Sequence, residues 1–191
     1  VKYTDGASVK NLTAVNGDSV NLYAVWEANT YTIEYNSNQP NTASGSITEI
    51  MQPVTHTYDT EKELDGNIFT LTGWTFCGWA ETQNGAVRFQ NGQKVSNLTA
   101  ENDGTVILYA VWQANTYTIS FNTDGGNFVQ ETSATFDSAL PSVGVPARKG
   151  YQFCGYFSEE SGNGVQFYDK FGKATENMQT YTEDQNIELY A

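Results

Sequence analysis

The sequence has few positive charges: 9 Lys and Arg stand against 22 Asp and Glu, which gives a formal net charge of −13. Nucleic acids and sulfated glycans attract proteins through Lys and Arg, so this chain is predicted to bind neither. It also has no apolar run near the roughly 20 residues of a membrane span, which argues against membrane insertion by this segment. With 12 Tyr, 10 Phe and 17 Gly, the composition favours strands and turns.

Residues that carry chemistry are also few. His56 is the only histidine, so a Ser-His-Asp or Cys-His site could exist only once. It stands in the alternating stretch VTHTYDT, where a histidine on the surface of a strand is expected. Cys77 and Cys154 occupy matching contexts in two copies of a repeat. We expect them to be too far apart for a disulfide, and we interpret them as small, partly buried hydrophobes.

Acidic clusters are the remaining candidates for a reaction. Glu159–Glu160 and the group Asp59, Glu61 and Glu63 could in principle act as the paired carboxylates of a glycosidase, but both lie in turn-like, exposed contexts. The Asp-Gly turns lack the spacing of an EF-hand calcium loop. The sequence therefore predicts no enzyme, no metal ligand and no cofactor.

The chain repeats itself. NLYAVWEANTYTIEYN (21–36) recurs 86 positions later as ILYAVWQANTYTISFN (107–122), and the same shift makes about 20 of 33 positions identical between 1–33 and 87–119. A third copy follows at slightly different offsets. The repeat predicts three parts: residues 1–28 as the C-terminal tail of a preceding repeat, 29–114 as a complete module and 115–191 as a nearly complete second one. Because the chain begins with Val1, we expect it to be a fragment of a longer protein.

Strand patterns dominate each copy. TYTIEYN and TYTISFN alternate, so that the aromatic and aliphatic residues face one side, as in a half-buried strand. The pattern predicts further strands at VNLYAVW (20–26), THTYDT (55–60), GWTFCGWAE (73–81), VILYAVW (106–112), ATFDSAL (134–140) and GYQFCGYFS (150–158). Helix is expected only as short turns at 8–14, 94–100 and 172–178. The predicted fold class is therefore strand-dominated α+β, with one curved sheet in each module.

The connections between copies are short. EANT and QANT contain neither Gly nor Pro, and they join the last strand of one copy to the first strand of the next across four residues. Such a link restricts relative motion, so the sequence predicts contacts between modules and a stiff rod.

These landmarks resemble a known family. YTIEY, GWTFCGW and ILYAVW in the middle copy, and YTISF, GYQFCGYF and ELYA in the last, resemble in order the Listeria/Bacteroides repeat of the internalin B-repeat type. The resemblance covers essentially the whole chain. It implies tandem β-grasp-like modules, each one twisted sheet of four or five strands with little helix, on exported bacterial proteins that are often tethered to the cell wall. Such modules look like stalks and adhesion modules, and the family lends no catalytic residue.

Aromatic residues are the candidates for partner contact, namely Trp74, Trp79 and Tyr156. Trp74 and Trp79 lie five apart in one predicted strand, so they are expected on opposite faces, with one of the two exposed. Trp26 and Trp112 close their strands and are expected to pack in a core or against the next module.

Two functions remain open at this point. The first is a non-catalytic stalk and interaction segment at the bacterial cell surface, outside the cell and associated with the wall, whose partner is a host or neighbouring-cell protein or a glycan. The second is a carbohydrate-binding module that uses exposed Trp or Tyr. A stalk should bury its aromatic rings and join its modules at the ANT seam, whereas a carbohydrate-binding module should expose rings in a groove.

Overall fold

The computed structural model describes residues 2–191, and strands dominate it. Two 3-10 turns, Glu160–Gly162 and Glu176–Met178, are the helical elements of this range. In chain order the strands are β1 Thr30–Asn36, β2 Val54–Thr57, β3 Lys62–Glu63, β4 Trp74–Ala80, β5 Lys94–Val95, β6 Gly104–Ala114, β7 Thr116–Asn122, β8 Thr132–Thr135, β9 Gly155–Phe157, β10 Gln166–Asp169 and β11 Ile187–Tyr190.

The first sheet has the strand order β2-β1-β6-β4. β6 lies at its centre, parallel to β1 and antiparallel to β4, as the apolar sequence of β6 predicts. β2 pairs antiparallel with β1 at the edge. The alternating sequence of β1 buries Tyr31, Ile33 and Tyr35 on one face, as expected from its period of two.

The second sheet repeats this arrangement in the order β10-β9-β11-β7-β8. β7 and β11 form the parallel central pair, β8 flanks β7, and β9 flanks β11, both antiparallel. β10 adds a fifth strand beside β9. In the first sheet, Phe89 makes only an isolated bridge to Trp79 in the corresponding place.

Each sheet has its own core of aromatic and aliphatic side chains. In the first, Trp79 is fully buried, and its ring centroid lies 4.9 Å from both Tyr35 and Phe76. In the second, Tyr156 is fully buried with its ring centroid 4.5 Å from Phe121. The large rings cover one face of each sheet without any α-helix among the described residues, which agrees with the predicted strand-dominated class.

Several predicted elements differ from the structure. Residues 2–29 form no strand, and Trp26, expected in a core or against a neighbour, is 90% exposed. The predicted strand 150–158 shrinks to Gly155–Phe157. The expected helical turns at 8–14 and 94–100 are absent from the described structure, while 172–178 contains one 3-10 turn. In each shortened or missing strand the apolar sequence is present but no neighbouring strand pairs with it, and an unpaired strand is marginal in water.

The expectation that Trp74 and Trp79 face opposite sides of the sheet is wrong. The register between β4 and β6 shifts between Phe76 and Gly78, which is a β-bulge, and Gly78 has a φ of 143°. The extra residue at the bulge shifts the alternation of side chains, so that residues on either side of it face the same way. The pairing with β6 shows this, because the partners of Trp74, Phe76 and Trp79 are every second residue of β6, namely Ala114, Trp112 and Ala110. Both tryptophans therefore face the core side.

Two smaller expectations also need correction. His56 is 1% exposed rather than on the surface, and its ring centroid lies 5.6 Å from that of Tyr31. Both cysteines are free, but only Cys77 is partly buried, since Cys154 is exposed. The sequence pattern of β2 alternates correctly, but it does not say which of its two faces meets the core.

The burial of the tryptophans predicts unequal effects on stability. Trp79→Ala removes a fully buried ring and should lower the free energy of unfolding of the first sheet by about 3–5 kcal/mol. Trp112 lies partly buried at the edge of the same core, so Trp112→Ala should cost about half as much. Urea unfolding followed by far-UV circular dichroism gives both values, and an equal cost would contradict this description of the core.

The buried histidine predicts a pH dependence. Burial lowers the pKa of His56, Lys62 lowers it further, and Asp65 opposes both. The unfolded chain takes up a proton near pH 6.5 but the folded sheet resists it, so stability should fall as the pH drops below about 6.5. Urea midpoints at pH 7 and pH 5, read from tryptophan fluorescence, should differ in the native chain.

The control for this effect is His56→Phe, which keeps an aromatic ring in the core. Since His56 is the only histidine, the variant should lose most of the difference between pH 7 and pH 5. The change in tryptophan fluorescence reports mainly on the first sheet, because three of the four tryptophans, Trp74, Trp79 and Trp112, lie in it, and the fourth, Trp26, is already 90% exposed in the folded chain. An unchanged pH dependence in the variant would mean that His56 takes up its proton equally well in the folded and unfolded chain, and that other groups cause the difference between pH 7 and pH 5.

Candidate functional site: the joint between the two sheets

The three aromatic candidates for partner contact differ in exposure. Trp79 and Tyr156 are both 0% exposed, so their rings are enclosed in the two cores and offer no surface to a partner. Burial raises the pKa of Tyr156 to about 12, and its hydroxyl donates to the carbonyl of Gly144 at 3.2 Å. Trp74 alone is partly exposed. Of the three candidates, only Trp74 retains an accessible edge.

Trp74 lies in a shallow aromatic cleft of about 400 Å³. Phe69, Phe76 and Trp112 line it together with Trp74. The indole N–H of Trp112 donates to the Ser37 carbonyl at 2.8 Å, so this ring is fixed in place. The cleft borders the end of β6, where the first sheet meets the second.

Asn115 is the single residue between β6 and β7. Its backbone N–H donates to the Gly73 carbonyl at 2.8 Å, and its carbonyl accepts from the Phe136 N–H at 2.9 Å. Its side-chain oxygen accepts from the Thr75 hydroxyl at 2.6 Å, and its amide nitrogen donates to the Tyr117 hydroxyl at 3.2 Å. Asn115 is therefore hydrogen-bonded to both sheets, and the connection is shorter than the four residues that the sequence indicates.

Asp137, in the turn that follows β8 of the second sheet, contacts the first sheet. One carboxylate oxygen, Oδ2, accepts from the Trp74 indole N–H at 2.8 Å and from the Ser44 backbone N–H at 3.0 Å. Beside this contact Gly73 packs on the Phe136 ring so closely that a Cβ at Gly73 would lie 2.2 Å from it. Gly73 also has a φ of 72°, which an L side chain rarely adopts. The joint between the two sheets therefore consists of the single linking residue Asn115 together with close packing and hydrogen bonds across the two sheets.

The contacts of Asp137 also set its charge. Burial by itself would raise the pKa of this carboxyl, but the hydrogen bonds from Ser44 and Trp74 outweigh it and the pKa is lowered. Asp137 is consequently an anion near neutral pH, and its contribution to the joint is lost only as the pH falls below the usual range of an aspartate. A charge-assisted bond of this kind is stronger than a neutral one.

Sequence reasoning missed Gly73, Asn115 and Asp137 as parts of one contact. A signal exists, since each recurs in the repeat: Gly73 as Gly150, Asn115 as Asn29, and Asp137 as Asp59. Asp59 and Asp137 also share a positive φ, of 59° and 54°. Recurrence alone does not distinguish a residue of the joint from a residue of a turn.

The acidic clusters do not form a site in the described structure. Glu159, Glu160, Asp59, Glu61 and Glu63 are all exposed. Among residues 2–191, no group of three or more His, Cys, Asp or Glu is arranged to hold a metal ion. Within the same range no helix has the length and apolar character to cross a membrane.

Two sheets of the same strand arrangement, joined at a fitted contact, define a strand-rich tandem repeat protein. The family model described as the Listeria-Bacteroides repeat domain matches residues 31–111 and again 117–191. The chain belongs to this family, as the ordered motifs predict. No solved structure matches the chain significantly.

Three relatives contain a segment similar to this chain within a longer protein. Internalin H of Listeria monocytogenes is 27% identical over 217 residues, a match that covers 100% of this chain and 36% of internalin H. Two Evansella cellulosilytica proteins with provisional names, a membrane protein and a Gly-rich membrane protein, are each 30% identical over 75% of this chain. The match covers 19% and 15% of those proteins. The chain therefore spans well under half the length of each relative.

Proposed function

We propose that this chain is a non-catalytic repeat segment of an exported bacterial cell-surface protein, where it acts as a semi-rigid stalk and interaction module. The single observation that carries the proposal is the joint, in which Asn115 and Asp137 bond the second sheet to the first. A joint of this kind fixes the angle between neighbours, which is what a stalk requires. Membership of the repeat family and similarity to internalin H support a location at the cell surface, associated with the wall.

The proposal includes a division of the chain. Residues 29–114 and 115–191 are two β-grasp-like modules, and residues 1–28 are the tail of a preceding repeat. The separate cores of the two sheets support this division, as does the single residue between β6 and β7. Partners, a host or neighbouring-cell protein or a glycan, would meet the outer surface of the rod.

Small-angle X-ray scattering tests the stiffness of the joint, at concentrations where the chain is shown to be monomeric. The native chain should fit one angle between the two sheets. Asp137→Gly removes the carboxylate that binds Trp74 and Ser44 while tolerating the positive φ, so it should broaden the distribution of angles. Scattering of the native chain that requires a broad distribution would overturn the stalk proposal.

Asp59→Gly is the matched control for this experiment. Asp59 occupies the same position in the repeat and has the same backbone conformation, but it is exposed and lies away from the joint. This variant should scatter like the native chain. If both variants broadened the distribution equally, the effect would come from the loss of a turn residue and not from the joint.

A second candidate function is carbohydrate binding at the aromatic cleft of Phe69, Trp74, Phe76 and Trp112. Tryptophan and tyrosine rings stack on sugars, and the partly exposed edge of Trp74 favours this use. The candidate ranks second because Trp79 and Tyr156 are buried. Binding on a glycan array that is lost in Trp74→Ala, but kept in Asp137→Gly, would establish it. Glycan binding that is lost in both variants would mean that binding requires an intact joint between the sheets. If the native chain binds no glycan on the array, the carbohydrate-binding candidate is excluded.

A further inference from the structure

Exposed apolar side chains recur at two matching positions of the two sheets. In the first sheet they are Ile50 and Ile68, which are 76% and 53% exposed. The corresponding residues of the second are Phe128 and Val145, which are 79% and 45% exposed. In all four cases the next residue along the chain is buried, and these buried residues are Met51, Phe69, Val129 and Pro146. The four side chains therefore lie outside the cores, and core packing does not account for their apolar character.

Ile50 and Ile68 belong to one surface of the first sheet. The Thr70 hydroxyl donates to a Glu49 carboxylate oxygen at 2.5 Å, which places residues 49–50 beside residues 68–70. β6 is paired through Trp112 to Ala114 in this sheet, so the exposure of both isoleucines is a property of the complete sheet. We call this surface the Ile50 patch.

Phe128 and Val145 are brought together in the same way in the second sheet. The Asn127 backbone N–H donates to the Ala147 carbonyl at 3.1 Å, and the Ala147 N–H donates back to the Asn127 side-chain oxygen. Residues 127–128 and 145–147 therefore lie side by side. An exposed apolar pair that recurs on both sheets is more informative than a single exposed side chain, which is common on any protein surface.

A longer turn adds a third apolar side chain to the pair in the second sheet. Between Phe167 and Gly172 the chain has four residues, whereas only two separate the corresponding Phe89 and Gly92. The longer turn contains Phe171, which is 66% exposed. A Cβ at Gly172 would lie 3.4 Å from Cγ2 of Val145, so this turn borders the apolar pair.

Hydrogen bonds hold the longer turn in place. One carboxylate oxygen of Asp169 accepts from the backbone N–H groups of Phe171 and Lys173, at 2.8 and 2.9 Å. The Val143 N–H donates to the Gly172 carbonyl at 2.8 Å and joins the turn to the neighbouring segment. Phe171 is consequently presented on a fixed turn. Phe128, Val145 and Phe171 together are the Phe128 patch.

The two patches carry opposite charges at their rims. Glu49 stands next to Ile50, and its counterpart beside Phe128 is the neutral Asn127. Lys170 stands next to Phe171, and its Nζ lies 5.1 Å from the centre of that ring. Among residues 2–191 neither Glu49 nor Lys170 forms an ion pair. Each patch therefore has an apolar centre with an uncompensated charge at its rim, as protein interfaces have.

We propose that the Phe128 patch binds the Ile50 patch of a second copy of this chain. Phe128 and Phe171 of one copy pack on Ile50 and Ile68 of the other, and Lys170 meets Glu49. Charge complementarity identifies the occupant, because the chain itself offers an aliphatic surface with an anionic rim to match the aromatic surface with a cationic rim. Each copy carries a formal charge of −13, so an encounter that brings Lys170 to Glu49 is favoured over the repulsive alternatives.

The contact should be weak for a single pair of chains. It involves few side chains, which is typical of transient interfaces smaller than about 1,200 Å². The Ile50 and Phe128 patches occupy the same position of the repeat, so neighbouring tandem arrays can form several such contacts at once and gain avidity. This inference goes beyond the proposed function and does not depend on the stiffness of the joint.

Sedimentation equilibrium tests whether the patches mediate self-association, at about 0.15 M salt and up to millimolar concentrations of the whole chain. The native chain should associate reversibly. Ile50→Ser and Phe171→Ser, one in each patch, should each weaken the association at least about tenfold. Both side chains are exposed, so circular dichroism should be unchanged.

Val165→Ser is the matched control for the two serine variants. Val165 is 51% exposed but belongs to neither patch, so its replacement should leave the association as it is in the native chain. A native chain that stays monomeric at every concentration would overturn the inference. A loss of association in Phe171→Ser but not in Ile50→Ser would also overturn it, because the Phe128 patch would then meet a different surface.

A charge exchange tests the pairing itself. Lys170→Glu and Glu49→Lys should each weaken self-association, because each variant places like charges opposite each other. An equimolar mixture of the two variants should associate like the native chain. In the mixture the two altered patches match each other, and so do the two unaltered ones.

Net charge does not account for a gain on mixing. Glu49→Lys lowers the net negative charge, so this variant alone repels itself less than it repels Lys170→Glu. Association that appears only in the mixture therefore reports Lys170 and Glu49 as opposing residues. A mixture that associates no better than the separate variants would overturn the pairing of the Phe128 patch with the Ile50 patch.

Discussion

The pairing of β6 on both sides is the interaction on which the rest of the structure depends. β6 forms a parallel ladder with β1 and an antiparallel ladder with β4, so it closes the first sheet. The strand then continues through Asn115 into β7, which opens the second sheet. Because one nearly uninterrupted strand belongs to both sheets, the position of the second sheet follows from hydrogen bonds already made in the first. Asp137 and Gly73 add contacts between the two sheets beside this connection.

The same sequence takes two different states in this molecule, and the difference shows what pairing contributes. LYAVW at 108–112 lies in the centre of a sheet, and LYAVW at 22–26 is exposed and forms no strand. Local propensity is identical in the two places. What differs is the presence of β1 and β4, which satisfy the backbone groups of β6 and cover its apolar side chains. Whether this segment forms a strand therefore depends on the strands that pair with it as much as on its own amino-acid sequence.

This dependence also marks the limit of what sequence could predict. The period of two in β1 and β7, the central place of β6, the near absence of helix and the repeat family all follow from local pattern. The face of Trp79 does not, because the bulge at Gly78 changes the parity of β4. The burial of His56 depends on which face of β2 meets the core, and the role of Asp137 depends on a residue 63 positions away. Each of these features is set by tertiary contacts that no local pattern records.

The repeated aromatic residues have a structural reason to recur. Without an α-helix to cover its face in the described range, each sheet needs large side chains to build a core, and Trp79 and Tyr156 supply them at one repeat position. The position of Trp74 and Tyr151 behaves differently. Trp74 is partly buried where a second sheet follows, whereas Tyr151 is 67% exposed where none is in contact. The exposed fraction of a ring at this position therefore depends on whether a neighbouring module is in contact with it, so an exposed ring here is weak evidence for a ligand.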